Sequence, residues 1–387
     1  MVKKMSNADL IGVLKSRKSK MGGILRKYGD AWLIISEGRN DSNVDYVLGT
    51  HTHGMIAVLV SPNDIYVLVN ILEKSYVTDK PHIDAIDTYY GYREFYDKLT
   101  KLLRQYSGMK ILANFSSPEI CRQASYLSYS LYNELKYWAK KYEFDLHPSG
   151  RFVYELRRTK TLEELNMLEK SVKITLDILD DIRDRGVIRA GVTERKIASE
   201  LYKHCFLSGE PAFDVIVASG PNTANPHHVV SNRKIDSNDI VYIDFGVRYN
   251  TLSADITRVF YVGSIPKEVK DVYEVVYEAQ NEAIKNIKAG VKGSEPDKIA
   301  RKVIEKHGYD PKLFMHSLGH ALGVDVHDVG PRLGKSVEQT IDANTAYTVE
   351  PALYFENKFG VRIEDDIIIY KDRVIRISKA PEEPILL

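Results

Sequence analysis

Cysteine is nearly absent: Cys121 and Cys205 are the only two in 387 residues. They lie far apart and match no metal-ligand or redox spacing. That excludes a disulfide framework and points to a reducing cytoplasm. No apolar run approaches the roughly 20 residues that a bilayer demands, so no membrane-spanning helix is expected. Met1–Lys20 is polar and lysine-rich without an apolar centre, which is not the pattern of a secretory signal. Neither sign of charge is in excess, with 54 Lys and Arg against 53 Asp and Glu. Such a balance gives no general pull toward nucleic acid or an anionic membrane. The chain is long enough for two domains with substantial cores.

Strand and helix patterns alternate over residues 1–150. Asn7–Tyr28 reads as an amphipathic helix. Ala31–Ile35, Asp45–Leu48, Met55–Val60, Ile65–Val69 and Met109–Ala113 read as strands. Glu94–Arg104 and Ser130–Lys141 read as helices. The alternation predicts an α/β domain, and the break at His147-Pro148-Ser149-Gly150 is its expected end. Thr161-Leu162-Glu163-Glu164 is a capping box. It opens a long helix that Gly186 stops. Thr193 caps a helix over 194–207. Two more helices, Lys267–Lys288 and Glu295–Lys306, end at Gly290 and Gly308.

Some features invite a wrong chemistry. His51 and His53 share one face of an extended segment. With no third ligand nearby, they fit a loop beside a substrate pocket better than a metal pair. The tyrosines and lysines of Tyr126–Tyr142 fit a solvated helix with an aromatic packing face. Asp244-Phe245-Gly246 spells a kinase magnesium motif but has no catalytic-loop or glycine-rich partner motif.

The chemistry concentrates in two hairpins. Ile240–Val247 and Ser253–Val262 are apolar strands joined near Tyr249-Asn250. With those two residues as the turn, Asp244 faces Asp255. Near the C-terminus a three-residue turn centred on Asn357 makes Glu350 face Glu364. Pro351 cannot donate to a ladder, so the pairing should bulge there. Like charges directly opposite destabilise a ladder. Two such pairs on apolar strands are a pattern of hard oxygen ligands for cations.

Three histidine-bearing loops accompany the hairpins: Pro226-His227-His228, His316-Ser317-Leu318-Gly319-His320-Ala321-Leu322-Gly323, and Val326-His327-Asp328-Val329-Gly330-Pro331-Arg332. Here the chain resembles the pita-bread metallopeptidases, the family of methionine aminopeptidase, aminopeptidase P, prolidase and creatinase. The matching words are Ile-Asp-Phe-Gly, Asp-Ile-Thr-Arg, Gly-His-x-x-Gly, Val-Glu-Pro and Arg-Ile-Glu-Asp. They cover about residues 155–387. The family's usual Glu-Pro-Gly is Glu350-Pro351-Ala352 here, and its His-Glu pair is His327-Asp328.

The resemblance implies an α/β chain with a smaller N-terminal α/β domain (1–150) and a pita-bread α+β catalytic domain (151–387). It implies two divalent metal ions, manganese or cobalt by preference and zinc or iron as alternatives. Their ligands would be Asp244, Asp255, His320, Glu350 and Glu364. The implied reaction is hydrolysis of Xaa-Pro dipeptides by a hydroxide bridging the metals, with Glu350 doubling as proton acceptor. His227 and His327 would stabilise the tetrahedral intermediate, and His228 would be structural. Arg332, in a Gly-Pro-bounded loop after His327, is the candidate for the substrate carboxylate. A homodimer is expected. Aminopeptidase P activity on longer peptides is the alternative, and a non-catalytic binding relative is disfavoured by the complete ligand set.

Overall fold

The computed structural model describes residues 7–387; residues 1–6 of the Met1–Lys20 stretch lie outside the described residues. Two compact units divide between Glu163 and Glu164. Among the described residues no helix is long and apolar enough to cross a membrane.

The first unit is built on a six-stranded mixed sheet. Its middle strand, Ala31–Glu37, is buried over six consecutive residues, as a strand covered on both faces should be. It pairs antiparallel with Met55–Val60 and parallel with Lys110–Ala113. The edge strand Asp145–Pro148 extends the sheet. The helix Gly150–Arg158 packs against the helix Asn7–Tyr28. This unit therefore runs past the Gly150 break read from the sequence.

One expected strand is a helix. Asp45–Leu48 belongs to the helix Ser42–Leu48. The Asp41 carboxylate accepts from the backbone of Asn43 at 2.9 Å, and Gly49 closes the last turn at φ 68°. An aspartate N-cap and a left-handed glycine stop set the helix, and these outweigh the β-propensity of the short Tyr-Val-Leu run.

In the second unit, the helices Lys267–Asn286 and Ser294–Lys306 share one core with the two hairpins. Val272, Val276 and Ala279 meet Tyr242, Val259, Tyr347 and Val349 there, all buried. The first hairpin pairs Ile240–Phe245 with Ile256–Tyr261. Its register corrects the expected one: Asp244 faces Thr257, not Asp255. The turn residues are Asn250 and Thr251, with φ 47° and 74°. Two positive φ values are what a two-residue hairpin turn requires, and Arg248 and Tyr249 are already paired with Ser253 and Leu252. A shift by two positions keeps every side chain on its own face. Asp255 therefore stays on the face of Asp244, one diagonal step away.

The second hairpin keeps the expected register. Thr345–Val349 pairs with Asp365–Ile369, and Ala352–Phe355 with Phe359–Arg362. Asn357 takes φ 60° at the turn. Between the two ladders the pairing is interrupted at Glu350-Pro351 and Ile363-Glu364. The buried side chain of Gln280 enters this gap. Its amide donates to the carbonyls of Val349 (2.8 Å) and Ile363 (3.2 Å), acceptors that the broken ladder leaves over.

Candidate metal centre

The two hairpins meet at Thr257 and Glu364. The backbone of Glu364 donates to the Thr257 carbonyl at 3.3 Å, and Thr257 Oγ1 donates to Glu364 Oε2 at 2.9 Å. Arg258, nearly fully buried, clamps the junction. It donates to the carbonyls of Thr257 (3.0 Å) and Glu364 (2.7 Å) and to Asp365 (2.8 Å).

His320 arrives on a loop laid along the strand Thr345–Val349. The Thr348 amide donates to the His320 carbonyl at 3.0 Å, and the His320 amide to Thr348 Oγ1 at 3.1 Å. A Cβ on Gly319 would stand 2.0 Å from the Thr348 carbonyl oxygen, so only glycine permits this approach. The loop is not helical.

The result is one cavity of about 570 Å³ lined by Asp244, Asp255, His320, Glu350 and Glu364. Asp255, His320 and Glu364 each bring a ligand atom, all within 4.8 Å of one another. His320 Nε2 is 3.5 Å from Asp255 Oδ2 and 3.6 Å from Glu350 Oε1. Burial, then the neighbouring carboxylates, push the carboxyls of Asp255, Glu350 and Glu364 well above their usual range. Burial, then His327, push the His320 imidazole down to about 3. One oxygen of Asp244 is buried without a hydrogen bond. Crowded buried acids, an orphaned oxygen and a neutral imidazole are a donor set that fits divalent cations.

The same cavity takes in His227, His327 and Arg332, all exposed. The His327 ring stands edge-on to His320 with centroids 4.1 Å apart. Arg332 makes no ion pair among the described residues, and Glu338 pairs instead with Lys292 at 2.7 Å. His228 turns away to Glu194, at 2.8 Å. His51 and His53 lie in the first unit, with ring centroids 5.7 Å apart.

Sequence reasoning assigned no role to Arg362 or His316. Arg362 donates to Asp244, to the Pro226 carbonyl (3.0 Å), to Tyr354 Oη (2.8 Å) and to Thr257 Oγ1 (3.1 Å). His316 bonds Tyr354 Oη at 3.0 Å and lies 3.6 Å from Glu350. Burial pushes its imidazole down to about 4. Arg362 stood inside the Arg-Ile-Glu-Asp word, where a buried cation among acids was a readable signal.

Buried acids on two interrupted hairpins, joined by one imidazole in an open cavity, define a metal-dependent hydrolase. Comparison with known proteins gives the family. The chain belongs to metallopeptidase family M24, whose family model matches residues 166–371. Over 349 residues it is 31% identical to the Xaa-Pro dipeptidase of Pyrococcus furiosus, covering 88% of this chain and 92% of that protein. The solved X-Pro aminopeptidase of Thermotoga maritima superimposes with a TM-score of 0.83 at 29% identity, covering 93% of this chain and 98% of the other. The prolidase of Pyrococcus horikoshii gives 0.78 at 29%, covering 95% and 99%. The fold class is thus α/β, with an N-terminal α/β domain followed by the pita-bread domain.

Proposed function

We propose that this metallopeptidase is an Xaa-Pro dipeptidase, with two divalent ions, manganese or cobalt, held by Asp244, Asp255, His320, Glu350 and Glu364. One observation carries the reading: a single cavity gathers this acid–imidazole cluster, two exposed histidines and an arginine without an ion pair. The names of the Pyrococcus relatives support the same substrate.

Bound ions would act as Lewis acids and make a neighbouring water more acidic. The chain's own residues do the rest. Glu350 is the least buried of the four acids, with 17% of its side chain exposed, and it would accept the proton. His227 and His327 would donate to the oxygen that gains charge. Phe213, Ile216 and Met315 give the cavity an apolar wall suited to a proline ring. Arg332 would pair with the free carboxylate of that proline, for which its planar fork is suited.

The buried free cysteines suit a cytoplasmic protein, and the family resemblance supports a homodimer. Hydrolysis of Xaa-Pro dipeptides measured beside Xaa-Pro tripeptides tests the substrate assignment. Dipeptides should be cleaved and tripeptides spared. Equal rates on both would favour an Xaa-Pro aminopeptidase, the activity named for the Thermotoga relative.

A further inference from the structure

The carboxylate of Glu194, in the first turn of the helix Glu194–Ser208, has none of its side-chain surface exposed. It is not part of the cavity lining. Six donors converge on its two oxygens. Oε1 receives the Ser219 amide (2.9 Å), the Ser219 hydroxyl (2.7 Å) and the Asn222 amide group (2.9 Å). Oε2 receives His228 Nε2 (2.8 Å), the Ser231 amide (3.1 Å) and the Ser231 hydroxyl. Burying a carboxylate costs several kcal/mol unless donors replace its water, and this one is fully supplied. The donors hold it below the usual carboxylate range against the upward push of burial.

Five of those six contacts come from two short segments, Ser219 and His228–Ser231, that flank the loop carrying His227. The other side of that loop is tied to the metal centre. Tyr242 Oη donates to the Asn225 carbonyl at 2.7 Å, and Arg362, which also holds Asp244, donates to the Pro226 carbonyl at 3.0 Å. The His227 amide donates to Asn225 Oδ1 at 3.1 Å. His227 therefore sits between a neighbour fixed toward the acids and a neighbour fixed toward Glu194. Adjacent residues pulled to opposite sides leave the exposed imidazole between them one direction to point, into the cavity.

We infer that Glu194 is a positioning residue for His227, acting through His228 and Ser231 to hold the Asn225–Ser231 loop in its working shape. The inference rests on the catalytic role given to His227 above. Glu194→Gln isolates the effect. The amide keeps the size of the side chain but sets N–H groups against the donors of one segment.

The experiment is a double-variant cycle on the metal-loaded enzyme: Glu194→Gln, His227→Ala and both together, with kcat, KM and bound metal measured for each. Glu194→Gln should lower kcat by about 10- to 100-fold, the scale for misplacing a group by about an ångström, with KM and metal content unchanged. In the His227→Ala background it should have no further effect. Equal losses in both backgrounds, unchanged kcat, or loss of metal would each overturn the positioning role while leaving the dipeptidase reading intact. A His227→Ala variant as active as the parent would remove His227 from the chemistry, and Glu194 with it. If Glu194→Gln does not fold, Ser231→Ala and His228→Asn, each removing donors from the same carboxylate, enter the cycle in its place under the same criteria.

Discussion

Arg362 donates to one carboxylate oxygen of Asp244, and the other oxygen of that carboxylate is buried with no hydrogen-bond partner. Of the arginines that line the cavity, Arg362 is the one that ion-pairs with any of its four buried or half-buried acids among the described residues. Removing one partner of a buried pair leaves an uncompensated charge, at about 3–5 kcal/mol. Arg362→Ala should therefore destabilise the chelator-treated protein by about that amount, read from urea unfolding. A loss below about 1 kcal/mol, the range of exposed ion pairs, would mean that the Arg362–Asp244 contact does not act as a buried ion pair.

Asp255→Asn separates two opposed effects. Burial and then the charges of Glu364, Asp244, Asp366 and Glu350 hold the Asp255 carboxyl well above its usual range. An amide there relieves repulsion, so the metal-free protein should become more stable. The same amide removes a ligand charge, so bound metal and turnover should fall. Metal analysis and thermal unfolding with and without chelator read both signs. A variant that loses stability in chelator and keeps its metal would make Asp255 a structural acid.

These charges explain how much was legible in advance. The Glu350–Glu364 register follows from the turn at Asn357 because a three-residue loop fixes pairing by counting. The Asp244–Asp255 register was misjudged by two positions because Thr251 at φ 74° is an unusual occupant of a left-handed turn. The error left the site intact, since a two-residue slip preserves faces. The helix Ser42–Leu48 was missed because a short apolar run has no period, although Asp41 and Gly49 bracketed it. Arg362, Thr257 and Arg258 were in view as letters of motifs. Their roles depend on which hairpin meets which, and strand patterns within one hairpin do not carry that.

Metal removal should act on stability as well as on activity. A ligand that binds only the native state adds about 2.7 kcal/mol at a hundredfold excess over its Kd. Exhaustive chelation should abolish hydrolysis and lower the melting temperature together, and manganese or cobalt should restore both. Full activity in a preparation shown to be free of metal would remove the metallopeptidase chemistry.

His82 gives the first unit an acid-sensitive element. Burial pushes its imidazole down to about 4, with Lys80 and Lys18 adding to the shift and the Val47 carbonyl and Asp84 opposing it. The unfolded chain titrates near 6.5. A group whose folded pKa is depressed contributes stability that is present above the unfolded value and is lost as pH falls through the window. Stability should therefore drop from about pH 6.5 toward about 4, and His82→Asn should flatten that slope. Asp41 works the other way, since burial raises it to about 6. Comparing variant with parent cancels its contribution. Parallel stability curves for the two proteins would show that His82 is already charged in the fold.

The last prediction decides between dipeptide and longer substrate. An Xaa-Pro dipeptide carries its carboxylate one residue past the scissile bond. A longer peptide has an amide there. Arg332 lines the cavity, and Glu338, the acid that could have held it as a surface pair, is taken by Lys292. Its fork is therefore available to a substrate. Loss of one partner of a desolvated charge pair costs about 2–5 kcal/mol. Arg332→Ala should lower kcat/KM on Xaa-Pro by the corresponding factor and should affect a C-terminally amidated Xaa-Pro much less, because the amide carries no charge to lose. The amidated substrate should also be poorer than the free acid in the parent enzyme, and the two should converge in the variant. Equal losses on both substrates would take Arg332 out of carboxylate recognition and leave the cavity open to peptides that continue beyond proline.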